Sequence, residues 1–148
     1  MNTYTKEVGK QLNELLQKTY HTQKGFKTAA KHVGNDALES YFKLKAQERH
    51  NFGDELTTEF KLYNHPVNSQ IQNEHINRAW MDVSAIVSYN DEESMLEEVI
   101  KGEKAAVSEY VEIIKNKELP ISTKMVMESQ KSKIVKGLSR FRTLEELC

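Results

Sequence analysis

The chain has 148 residues, 38% hydrophobic and 29% charged, with a net charge of −1 and the two signs interspersed along its length. That is enough chain for one domain, 1–148, with a real core, and the absence of a basic stripe or polybasic cluster argues against nucleic acid or an anionic membrane as partner. Only six Gly and two Pro among many Lys, Glu, Leu and Ala favour helix over sheet.

The opening MNTYTKEVGK lacks the apolar core of a secretory signal, and no apolar run exceeds three residues. The expectation is a cytoplasmic protein that does not span a membrane. Apolar residues then recur at helical spacing from about Tyr4 to Val33, through Val8, Leu12, Leu15, Leu16, Thr19, Phe26, Ala29 and Ala30. Gly34 reads as a helix stop, and Asp36 with Glu39 as the capping box of a second helix. That helix carries Leu38, Tyr41, Phe42, Phe52, Leu56, Phe60 and Tyr63, until Pro66 breaks it.

A shorter helix is predicted from about Ser69 to Val87, with Ile71, Ile76, Ala79, Trp80, Val83 and Ile86 on its apolar side. Asn90 with Glu93 caps a fourth, which carries Leu96, Val99, Ile100, Ala106, Val107, Tyr110, Ile113 and Ile114. Pro120 opens a fifth with Met127, Ile134, Leu138, Phe141 and Leu144. Lys131, Lys133, Lys136, Arg140 and Arg142 along this last helix read as a solvated face. Trp80 reads as a core anchor, and Met81, Met95, Met125 and Met127 as gap-fillers. The single cysteine, Cys148, has no internal disulfide partner.

No strand-like alternation competes. Two long helices, a crossover with its own short helix and two more long helices make an all-α chain whose connectivity is that of a ferritin-like four-helix bundle. A faint repeat supports this: KGFKTAA at Lys24–Ala30 resembles KGEKAAV at Lys101–Val107, relating the first helix to the fourth. Gly25 and Gly102 each cost a helix about 1 kcal/mol relative to Ala, so both point to close backbone approach by a neighbouring helix.

A di-metal centre in such a bundle needs carboxylates plus imidazole, normally Glu-x-x-His on two of the helices. No Asp or Glu is followed by His three residues later, and all five histidines precede residue 76. Helical phase at about 100° per residue turns Arg49 and Lys45 inward, leaves Glu48 on the flank and sends His50 to solvent. Glu103 falls on the inner stripe of the fourth helix, Gln130 beside that of the fifth, and Gln23 and Phe26 on the first. The expected central feature is therefore a buried polar layer of Glu103, Arg49, Lys45, Gln23 and Gln130. A lone buried carboxylate is costly, so Glu103 pairs with Arg49 or with Lys45, unless helix rotation carries the group to the bundle edge.

Several segments, LNELL at Leu12–Leu16, GFKTAAKHV at Gly25–Val33, AQER at Ala46–Arg49, RAW at Arg78–Trp80 and LEEVIKGEKAAVSEY at Leu96–Tyr110, resemble a bacterial ferritin-like four-helix-bundle family catalogued as a domain of unknown function. The resemblance implies that fold and a stress association, with no defined activity. Where members keep an acidic residue or histidine on the first and last helices, this chain has His21 and Gly137. The expected function is a non-catalytic bundle without a complete di-metal site or cofactor, in a stress-related or partner-binding role, through an unknown protein partner or self-association. The alternative is an iron-dependent oxidase or iron-handling protein with an atypical site on Glu48, Glu103 and Glu128.

Overall fold

The computed structural model describes residues 3–67, 79–88 and 91–147, with side chains as far as residue 140. Among the described residues the chain is all-α and has no strand. Its helices are α1 (Lys6–His32), α2 (Asp36–Leu62), α3 (Val83–Ser88), α4 (Glu92–Ile114) and α5 (Ile121–Leu147). None of them is long and apolar enough to cross a membrane.

The helix starts are set by side-chain acceptors for orphan N–H groups. Thr5 Oγ1 accepts from the Val8 amide, Asn35 Oδ1 from Ala37 and Leu38, and Asp91 Oδ1 from Ser94. Two caps thus fall one residue from their predicted places, at Asn35 rather than Asp36 and at Asp91 rather than Asn90. Adjacent Asx residues have equivalent capping chemistry. The acidic residue that follows each cap, Asp36 or Glu92, occupies the first turn, where the helix dipole favours negative charge. At the other end of α2, Asn64 adopts a left-handed φ of 54°. The His65 amide reaches the Phe60 carbonyl and the Asn64 amide the Lys61 carbonyl, the paired bonds of a Schellman cap. The helix therefore ends ahead of Pro66. Gly34 does not use a left-handed conformation; α1 stops at Val33 in extended backbone.

Side-chain contacts fix the helix directions. Phe26 meets Phe42 and Asn13 meets His65 along α1 and α2. Tyr41 meets Gly137 and Glu59 meets Thr123 along α2 and α5. Lys18 meets Glu109 and Gln11 meets Asn116 along α1 and α4. Each of these pairs runs antiparallel, as α4 and α5 do across their short connection. α2 and α4 consequently run parallel on opposite sides of a shared interior, so the chain between them must travel back along the helices.

Of that crossover, residues 68–78 lie outside the described residues, with them most of the predicted helix at Ser69–Val87, including Ile71 and Ile76. Where the description resumes, residues 79–82 are not helical, and α3 begins only at Val83. Trp80 is thus on an irregular segment, buried at 6% exposure, with its Nε1–H donated to Glu109 at 3.1 Å. This irregular segment, and not the expected neighbouring helix, explains the repeated glycines. A Cβ on Gly102 would stand 2.7 Å from the Trp80 carbonyl oxygen and 3.2 Å from Met81 Cα, and one on Gly25 would stand 2.7 Å from Met81 Sδ. The crossover therefore lies in a slot cut by Gly25 on α1 and Gly102 on α4. His21 Nε2 secures it by hydrogen bonding to the Met81 carbonyl at 3.1 Å. Met81 and Met95 are buried, whereas Met125 is 67% exposed, because its phase on α5 lies opposite the buried Met127.

Gly102→Ala is expected to lower stability by about 2 kcal/mol, the usual range for overpacking against rigid backbone. Gly25→Ala is expected to cost less than half of that, since the methionine side chain can move and alanine gains helix propensity. Urea denaturation of the two variants measures both values.

Candidate functional site

The interior is divided. One apolar cluster contains Leu12, Leu16, Phe52, Leu56, Phe60 and Tyr110, and a second contains Phe26, Phe42, Ala46, Met81, Leu96 and Val99. The residues between them in sequence on α1, α2 and α4 are polar and buried: Thr19, Thr22, Arg49 and Glu103. Arg49 is among the largest side chains with no exposed surface, and Glu103 is equally enclosed.

These two residues reach each other across the diagonal from α2 to α4. Arg49 Nη2 donates to Glu103 Oε1 at 2.5 Å and Nη1 to Oε2 at 3.1 Å, a bidentate fork matching the carboxylate plane. The guanidinium carbon lies 5.5 Å from the Phe26 ring centroid and 5.6 Å from that of Phe52, so one aromatic from each apolar cluster flanks the cation. Burial pulls the Arg49 pKa down, but the Glu103 carboxylate and its hydrogen bonds more than offset this and leave it above its ordinary value. Arg49 Nε and Thr22 Oγ1 have no hydrogen-bond partner among the described residues. Thr19 satisfies itself on the Leu15 carbonyl.

A second polar string lies one level away. Tyr110 Oη donates to Gln130 Oε1 at 2.5 Å, and Gln130 Nε2 donates to the Phe52 carbonyl and to Glu55 Oε1. Gln130 is fully buried. Burial pushes the Tyr110 phenol far up, against a partial pull down from Arg49.

The other residues singled out by sequence lie elsewhere. Lys45 is buried but turns to Glu48 on its own helix, at 2.6 Å. Gln23 is half-buried and lines a surface groove between α1 and α2 with Lys27, Lys43 and His50. His50 stands at the surface, 3.4 Å from Asp54. The three carboxylates of the alternative metal site are not brought together. Glu48 pairs with Lys45, Glu103 with Arg49, and Glu128 with Lys131 at 3.4 Å. No three His, Cys, Asp or Glu side chains group as metal ligands among the described residues.

Sequence reasoning missed Glu59. It is 6% exposed, accepts from Ser122 at 2.5 Å and Thr123 at 3.0 Å, and ties α2 to the start of α5. Tyr4 joins through Thr123 and stacks on Tyr63. Burial pushes the Tyr4 phenol up to about 12, and the Tyr41 phenol likewise to about 12. The signal for Glu59 was available, since it stands seven residues after Phe52 and therefore on nearly the same helix face.

Residues 7–116 match the domain of unknown function DUF2383, well over half of the chain, and the chain belongs to that family. No curated protein sequence matches it.

Removing one partner of the central pair should cost about 3–5 kcal/mol, because the other charge stays buried alone. Arg49→Met and Glu103→Leu together should recover most of that loss, giving a coupling of at least about 2 kcal/mol in a urea-denaturation cycle. Additive effects of the two changes would contradict the pairing. Alkaline titration offers a separate check. Tyr4 and Tyr41 have folded pKa values above the ordinary 10.0, so each favours the folded state below pH 10 and loses that contribution as pH rises through about 12. Absorbance at 295 nm should show a late-titrating class of tyrosines that shrinks in Tyr4→Phe and collapses into the normal class in denaturant.

Proposed function

We propose that this member of the DUF2383 family is a non-catalytic, ferritin-like four-helix bundle that acts by binding a protein partner or a second copy of itself, in a stress-related role. Support for the bundle comes from its directions: α1 and α2 antiparallel, a long return to α4 parallel with α2, and α5 antiparallel to α4, the one-crossover arrangement of ferritin-like folds.

The observation that carries the reading is the bidentate Arg49–Glu103 pair. In a bundle of this kind a di-metal centre needs inward-facing carboxylates with free oxygens. Here the innermost carboxylate has both oxygens on a guanidinium, and the flanking candidates Glu48 and Glu128 each have a lysine. A cation entering that space would have to displace a fixed positive charge, and no neighbouring group can take the proton from an arginine. The chemistry left to the protein is that of its surfaces. The second reading, iron handling or oxidation at Glu48, Glu103 and Glu128, requires all three ion pairs to open together.

Titration calorimetry with ferrous, manganous and zinc ions should show no stoichiometric uptake, and none of these ions should raise the melting temperature by more than about 2 °C. Stoichiometric iron with oxygen consumption abolished in Glu103→Ala would overturn the proposal. Light scattering across a hundredfold concentration range separates self-association from a monomer awaiting a different partner.

A further inference from the structure

The seam between α2 and α5 is held by side-chain hydrogen bonds at three levels: Glu59 with Ser122 and Thr123, Gln130 with Glu55 and the Phe52 carbonyl, and Tyr41 with the Gly137 carbonyl. Between the last two levels the helices leave an open groove of about 490 Å³. Its α2 wall extends from Tyr41 to Glu55, about 21 Å at 1.5 Å per residue. That length suits four turns of helix better than a small molecule.

The α5 wall carries Lys133, Lys136 and Arg140, spaced i, i+3 and i+7 on one face. None of the three has a carboxylate within ion-pair reach among the described residues. Lys133 Nζ rests 5.9 Å from the Phe52 ring centroid and the Arg140 guanidinium 5.7 Å from that of Tyr41. The carboxylates of the opposite wall are already engaged, Glu48 by Lys45 and Glu55 by Gln130. Gly137, between Lys136 and Arg140, is buried beneath Lys45 and Tyr41, and Leu44 stands 68% exposed on the α2 side of the groove.

The geometry points to this groove as the docking site for an acidic amphipathic helix of a partner protein. Its carboxylates, one turn apart, meet Lys133, Lys136 and Arg140, and an apolar residue beside them covers Leu44. The inference rests on the partner-binding reading above and assigns it a place and a chemistry.

The test uses fluorescence anisotropy with two labelled 18-residue peptides of identical composition, at 150 mM salt. One has Glu at i, i+3, i+4 and i+7 with Leu on the adjoining face, and the other is scrambled. The patterned peptide is expected to bind at least about fivefold tighter, and Lys133→Glu/Lys136→Glu/Arg140→Glu to weaken it about tenfold or more. Lys27→Glu/Lys43→Glu, on the other groove, should leave binding unchanged. Circular dichroism checks that each variant remains helical, and the corresponding triple glutamine variant replaces the charge reversal if that one unfolds. Equal binding of the two peptides, or indifference to the α5 substitutions, overturns the inference. Loss of binding only in Lys27→Glu/Lys43→Glu also overturns it while sparing the partner-binding reading. Binding of neither peptide overturns the acidic-helix assignment, and the broader reading then stands or falls by the light-scattering and metal measurements.

Discussion

The interior is organised around a single charge pair. A guanidinium and a carboxylate with no exposed surface meet across the diagonal between α2 and α4, two helices joined to each other only through the crossover. Taking both charges out of water is expensive, and a pair of well-packed apolar residues would often serve stability as well or better. A bidentate fork has one good geometry, and here it spans two parallel helices between the two apolar clusters. Phe26 and Phe52 on either side of the cation join the two clusters through it.

Much of this arrangement was legible because it follows helical phase. A period of 3.6 residues turns Arg49 inward whatever its chemistry, and it does the same for Glu103 and Gln130. Phase could not say which neighbour a long flexible side chain selects. Lys45 is buried as its position implies, yet its four-carbon stem lets it fold back onto Glu48, a bond that depends on the space beside Gly137. Glu59 was overlooked for the opposite reason: a carboxylate on an aromatic stripe looks like an exception until the hydroxyls of Ser122 and Thr123 stand opposite, and no local pattern reveals residues more than sixty positions away.

The crossover was the least readable part. Its apolar spacing favoured helix through Trp80, but the tertiary environment prevailed. Passing between α1 and α4 requires a thin backbone rather than a helical cylinder, so residues 79–82 are irregular. The two glycines on the facing helices were visible as an anomaly and as half of a weak repeat. Their purpose emerges only when Met81 is seen against both. The paired Lys-Gly motifs thus record a shared steric need, which is itself a reason for the two segments to look alike.

That slot also makes the seating of α4 on α1 depend on the crossover: beside Gly102 the two helices face each other through Trp80 and Met81, so the irregular segment is a layer of the interior and not a strap across its surface.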